Sequence, residues 1–224
     1  MESIVEVISH LTDPDWIMQS GGLYLVLLIL FVETGLFFGF LLPGDPLLFI
    51  SGMIIAGADQ LGHPFASSLS NLIFWEFLFI MSAVTGNFVG YWFGNKFGHL
   101  FANPKRRGWF FKQSHIQAAN DFYKKNGGFA VTVARFLPVV RTFVPIAGGI
   151  VQMNKRRFAF FNVLGAIIWV GLLCTLGYLL GENEWINQNL EWTLLGIVVV
   201  ATLPVVIRAF IPSKPVKEVR TVKN

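Results

Sequence analysis

Charge is scarce in this sequence. Asp, Glu, Lys and Arg together make up 13% of 224 residues, about half the roughly 25% usual for soluble domains, while apolar residues make up 54%. That balance excludes an ordinary soluble domain. The apolar residues come in long blocks rather than helical stripes, and one block, 192–210, holds Arg208 as its only charge. Such runs are membrane spans by length and composition. The reading is an all-α integral membrane protein with one membrane domain.

Other shortages narrow the chemistry. The single cysteine, Cys174, lies inside an apolar block, so no intrachain disulfide forms and the redox compartment stays open. Four histidines are scattered without metal-ligand spacing, so no metal is expected. There is no Walker loop, dinucleotide fingerprint, zincin pair or nucleophile elbow. No cofactor is therefore expected, and the energy source is an ion gradient or none. Residues 1–22 contain four acids and neither Lys nor Arg, so they lack the positive n-region of a signal peptide and read as uncleaved. Ile4, Val5, Ile8, Leu11, Trp16 and Ile17 are spaced like the apolar face of an amphipathic helix lying on a surface.

The positive charges are concentrated. They gather in 96–125, in Lys155, Arg156 and Arg157, and in a basic flexible tail, 212–224, whereas 1–22 and 181–191 carry acids only. In a membrane protein such clusters mark the cytoplasmic face, so nucleic acid is not an expected partner.

Five apolar blocks, 23–57, 72–94, 129–151, 158–181 and 192–210, thread accordingly. Block 129–151 is bounded by basic loops at both ends, too short for the roughly 40 residues of a double crossing, and interrupted by Pro138 and Pro145. It is expected to be a re-entrant hairpin dipping from the cytoplasmic side. Block 23–57 lacks flanking Lys or Arg and is expected to dip from the opposite side. In its middle, Pro43 and Gly44 stop one arm, Asp45 is expected to N-cap the next, and Pro46 to occupy its first helical position. Single crossings are expected over 72–98, 157–181 and 190–211, which puts the C-terminus and the loop 96–128 in the cytoplasm. Gly86, Gly90 and Gly94 form a small-residue packing face. Each half then runs as a broken hairpin followed by a helix closing on Gly-Tyr-x-x-Gly, at 90–94 and at 177–181. Opposed hairpins of this kind are the mark of an inverted-topology repeat, whose site lies where the broken helices meet.

Irregular backbone at membrane depth survives only inside protein or along a water-filled cavity, and intramembrane ionisable groups default to functional sites. Four are singled out: Glu33, Asp45, Arg135 and Arg141. Burial disfavours the charged form of a carboxylate, which makes Glu33 a candidate proton carrier. Lying about two and a half turns before the Pro43–Gly44 break, it need not touch Asp45. Arg135 and Arg141 flank Pro138 and offer planar forks matched to phosphate oxygens. The competing arrangement is structural: the arginines paired with the acids as a neutral lock.

The stretch "ETGLFFGFLLPGDPLLFISG", the run "GNFVGYWFG" and "ARFLPVVRTFVPIAGG" with the following "NKRRFAFFNVLGAIIW" resemble the DedA family of bacterial inner-membrane proteins, and its founding branch in particular, over roughly residues 21–204. The resemblance implies a fold of the VTT, or SNARE-associated, type, with two opposed re-entrant hairpins and flanking crossing helices, shared with eukaryotic scramblases of autophagy. It implies transport of polyprenyl phosphates or phospholipids, dependent on proton motive force. It also implies that Glu33, Asp45, Arg135 and Arg141 are the functional residues.

The expectation is a lipid flippase or scramblase, not an enzyme. Its partners are protons and lipids with phosphate head groups, and homo-oligomerisation stays open. The rival is a proton-coupled antiporter of small cations or drugs, in which the carboxylates are the site and the arginines are locks. A lipid-phosphate enzyme lacks a hairpin histidine or cysteine, and a cargo-free scaffold leaves the intramembrane charges unexplained.

Overall fold

The computed structural model describes residues 14–36, 39, 42–57, 64–101 and 128–181, with isolated positions from 183 to 199. The segments 1–13, 102–127 and 200–224 lie outside the described residues, and with them most of the expected amphipathic segment, loop, last crossing and tail. Every regular element among the described residues is a helix: α1 (Pro14–Ser20), α2 (Gly22–Gly35), α3 (Gly44–Ala56), α4 (Ser68–Phe101), α5 (Phe129–Ala134), α6 (Pro138–Ile150) and α7 (Lys155–Leu180).

Length separates these into two kinds. At 1.5 Å per residue, the 34 residues of α4 reach about 50 Å and the 26 of α7 about 40 Å. Both exceed the roughly 30 Å hydrocarbon core of a bilayer, and both are apolar enough to cross it. The 13 or 14 residues of α2, α3 and α6 reach only about 20 Å, too short to cross singly. The exposed surface of the long helices carries Ile73, Phe77, Trp92, Ile167, Leu172 and Leu179, while Glu33, Asn87, Arg135, Arg141 and Asn162 are buried. Apolar outside and polar inside is the pattern that lipid selects.

Each expected hairpin block is a helix, a break and a second helix. In the first, α2 stops at Gly35. Leu36 turns extended, its N–H still donating to Val32 O, and turns at Gly39 and Leu42 carry the chain to Pro43 and α3. In the second, α5 tightens over Arg135, Phe136 and Leu137, whose N–H groups donate three residues back, and Pro138 opens α6. Proline is tolerated there because its missing N–H belongs to the unpaired first turn.

The second helix of each half packs on the long helix of the other half. Helix α3 lies on α7, where a Cβ on Gly52 would collide with Cys174 O and one on Gly177 with Phe49 O. Helix α6 lies on α4 in the same manner, through Gly149 against Tyr91 O and Gly94 against Ile146 O. Gly86 abuts Gly35 and Thr34 of α2. Close backbone approach through small residues is how helices associate where lipid supplies no hydrophobic drive. Ser82 Oγ adds a bond to Leu27 O (2.6 Å) and Thr132 Oγ1 one to Phe161 O (2.9 Å).

Several expectations need correction. Asp45 is not the N-cap of α3: Pro43 holds that place, and the Asp45 side chain points at other partners. Pro46 is consequently the third helical residue rather than the first, still within the turn whose N–H groups have no helical acceptor. Pro145 does not break its block. It sits inside α6, buried, where it has no N–H to offer the Arg141 carbonyl, and its ring fits against the space left by Gly90. Ile17 of α1 is buried in the protein core instead of lying on a surface.

Candidate functional site

The two breaks meet at the centre of the molecule. Because α2 ends at Gly35, eight residues before Pro43, Glu33 stands at the mouth of the break and not two and a half turns away from it. Asp45 comes from the first turn of α3 and Arg141 from the first turn of α6. One guanidinium binds both acids: Arg141 Nη2 donates to Glu33 Oε1, and Nη1 to Asp45 Oδ1 at 2.6 Å. The expectation that Glu33 and Asp45 need not meet is replaced by a shared partner. Glu33 is fully buried, Arg141 nearly so, and Asp45 partly open. Gly44 makes this possible, since a Cβ there would overlap the Glu33 carboxylate.

Arg135 is held differently. Its Nη2 donates to Asn162 Oδ1 (2.6 Å) on α7 and to Ala83 O (3.3 Å) on α4, and the Asn87 amide lies 3.0 Å from the same nitrogen. Asn162 Nδ2 in turn donates to Val84 O (3.2 Å), and Gly165 gives room to the Arg135 stem, with a hypothetical Cβ 3.0 Å from Arg135 Cδ. Among the described residues no carboxylate pairs with Arg135. Its Nε and Nη1, Arg141 Nε and Glu33 Oε2 are buried without a hydrogen-bond partner among the described residues. The four sequence-derived residues thus sit together but divide into a closed unit of two acids with one arginine, and a second arginine bound only by neutral groups.

Trp169 of α7 joins the two parts. Its indole Nε1 donates to Asp45 Oδ1 (2.8 Å), the oxygen that also accepts from Arg141. Its ring centroid lies 5.0 Å from the Arg141 guanidinium and 5.8 Å from that of Arg135, within cation–π range.

Sequence reasoning missed Trp169, Asn162 and Asn87. Their signal was position: a tryptophan away from an interfacial belt and two amides inside apolar blocks. It also overlooked a fifth intramembrane ionisable group, Glu76, which lies half-buried on α4 with Oε1 accepting from Thr175 Oγ1 of α7 (2.8 Å). Pro43 and Gly44 stand where the first break gives way to α3, and Pro138 is the first residue of α6 after the second. Among the described residues no group of His, Cys, Asp or Glu is placed to hold a metal ion.

The arrangement can do two things chemically. Arg135 is buried and has two donors unfilled among the described residues, which suits an oxyanion. The Glu33–Arg141–Asp45 unit holds a second guanidinium, bound through the negative charge of the two acids.

Comparison with known proteins adds a lineage. Residues 42–179 match the VTT domain, a stretch that begins at the end of the first break and takes in α3 to α6, the second break, and α7 except its last residue. The chain is 38% identical over 184 residues to Protein DedA of Escherichia coli strain K12, covering 82% of this chain and 80% of that protein. It is 35% identical over 198 residues to an uncharacterised membrane protein of Mycobacterium leprae, covering 88% and 83%. It is 34% identical over 201 residues to the inner membrane protein YqjA of Escherichia coli strain K12, covering 85% and 80%. No solved structure matches.

Proposed function

The chain belongs to the DedA family of membrane proteins, and we propose that it is a flippase or scramblase moving polyprenyl phosphate or phospholipid across the bacterial inner membrane with proton coupling. The observation that carries this reading is the unequal treatment of the two arginines: Arg141 turns both terminal nitrogens to carboxylates, Glu33 and Asp45, while among the described residues Arg135 pairs with no carboxylate and keeps two buried donors unfilled.

In this mechanism the lipid phosphate meets Arg135 first. Proton uptake by Glu33 and Asp45 weakens their hold on Arg141, whose fork turns to the phosphate, so the head group is clasped by both guanidiniums. Loss of the protons returns the carboxylates to Arg141 and expels the phosphate. The acyl or prenyl chains stay in lipid, beside the apolar outer faces of α4 and α7. No enzyme chemistry and no cofactor enter. One copy holds all four residues, so a homo-oligomer is not required for the site.

The same reading takes the two helix breaks as tips of re-entrant hairpins dipping from opposite sides, in an inverted repeat. The exchanged packing of α3 on α7 and α6 on α4 supports it, as does the meeting of Asp45 and Arg141 from the first turns of the two second helices. The chain is then multi-pass, with the loop 96–128 and the C-terminus cytoplasmic by the positive-inside rule.

The pairing of Arg141 with both acids also favours a second reading, a proton-coupled antiporter of small cations or drugs in which the arginine is a lock. One experiment separates them: translocation of fluorescent polyprenyl phosphate and phospholipid analogues in proteoliposomes, with and without a pH gradient. The flippase reading expects movement in the wild type, faster with the gradient and lost in Glu33→Gln and Arg135→Ala. A folded wild type that moves neither lipid but exchanges protons for cations supports the antiporter.

A further inference from the structure

The proposed mechanism gives no part to Trp169, although it touches more of the central site than any of the residues the sequence singled out except Arg141. Its N–H binds Asp45 Oδ1 at 2.8 Å, and its ring carries Arg141 at 5.0 Å and Arg135 at 5.8 Å. The side chain is 2% exposed and sits on α7, a long helix belonging to neither broken arm.

We propose that Trp169 is a positioning residue that ties the state of the carboxylates to both arginines at once, resting on the reading of this site as a phosphate clasp. The N–H and the ring act in opposite senses. The N–H holds the Asp45 carboxylate in place on Arg141 and so favours the closed unit. The ring attracts both guanidiniums whatever the carboxylates do, and so keeps the two forks together for one oxyanion when the unit opens. Asp45 Oδ1 accepts two donors in the closed form. When Asp45 is neutralised both weaken together, the indole is freed from its anchor, and Arg135 on the same ring feels the change without touching a carboxylate.

The two functions separate by substitution. Trp169→Phe keeps an aromatic face and removes the N–H; Trp169→Leu removes both. With farnesyl phosphate as the probe and purified full-length protein in detergent, Phe is expected to tighten binding about fivefold, the worth of one hydrogen bond in the closed state. Leu is expected to weaken it about tenfold by scattering the arginines. Changes of the same sign in both variants, or none, overturn the proposal, because a packing role predicts a graded loss from Trp to Phe to Leu. Where the Leu variant does not fold, Phe alone decides: tighter binding supports the proposal, and equal or weaker binding overturns it.

A second readout needs no lipid. The indole N–H resonance of Trp169 is identified by its disappearance in the Phe variant. It is expected to move in Asp45→Asn and also in Arg135→Ala, which shares only the ring face with it. A wild type that does not bind farnesyl phosphate, with both shifts present, removes the phosphate reading and leaves the coupling standing. A resonance indifferent to both substitutions overturns the coupling itself.

Discussion

The Glu33 carboxylate occupies the space in which a side chain on Gly44 would stand: a Cβ there would lie 2.6 Å from the Glu33 Cδ. The end of α2 and the start of α3 are thereby fitted to each other across the break. Gly44→Ala is expected to cost about 1–3 kcal/mol by overpacking and to lower the melting temperature in detergent. Glu33→Ala combined with Gly44→Ala relieves the overlap, so the cost of the second substitution shrinks in that background.

Removing Arg141 alone leaves two acids, one fully buried, without their cation. Breaking a buried pair from one side costs about 3–5 kcal/mol, more than removing the whole unit. Arg141→Met is therefore expected to unfold at lower temperature than the triple variant Glu33→Gln, Asp45→Asn, Arg141→Met. Equal melting of the two would mean that the acids are not held by this arginine.

The exchanged helix contacts predict a contrast among glycines. Gly52→Ala and Gly177→Ala drive a methyl into backbone of the facing helix and are expected to separate α3 from α7, at about 1–3 kcal/mol each. Gly171 lies on the same α7 with nothing within 4 Å of its hypothetical Cβ. Gly171→Ala is expected to be neutral or to stabilise by up to about 1 kcal/mol through helix propensity. Thermal unfolding of the three variants side by side checks the ordering.

Gln152 adopts a left-handed conformation, φ 53°, in the turn between α6 and α7, where Met153 N–H closes the helix end on Gly148 O at 2.9 Å. Such a position costs a residue with a Cβ about 1–2 kcal/mol, offset by the greater freedom glycine loses on folding, about 0.5–1 kcal/mol. Gln152→Gly is expected to raise stability by about 0.5–1 kcal/mol, read as a higher melting temperature in detergent.

What the sequence made legible was charge against hydrocarbon. Glu33, Asp45, Arg135 and Arg141 are costly in lipid, and that cost alone was enough to single them out. The two breaks were legible because proline and glycine act locally. Pairing was not: that Arg141 takes both acids while Arg135 takes amides depends on where α2 stops, and no residue within "GLFFGFLLPG" announces that Gly35 is the last helical one. Trp169 was hidden by its type, since an indole in an apolar run reads as packing until its N–H is seen on Asp45. Pro145 misled because a proline breaks a helix in isolation, whereas burial against the glycine face of α4 holds α6 continuous. Glu76 was legible by the same cost of charge in an apolar block, and its bond to Thr175 of α7 was not.

The exchanged packing also sets an order of events during synthesis. Asp45 precedes Arg141 by 96 residues and Glu33 precedes it by 108, an interval of roughly 5–20 s at ordinary ribosomal rates. Throughout that wait both acids are already made and their cation is not, and α3 has no α7 to lie on. The nascent chain must carry two unmatched carboxyl groups past the insertion machinery, and the bonds that define the centre are among the last the ribosome permits.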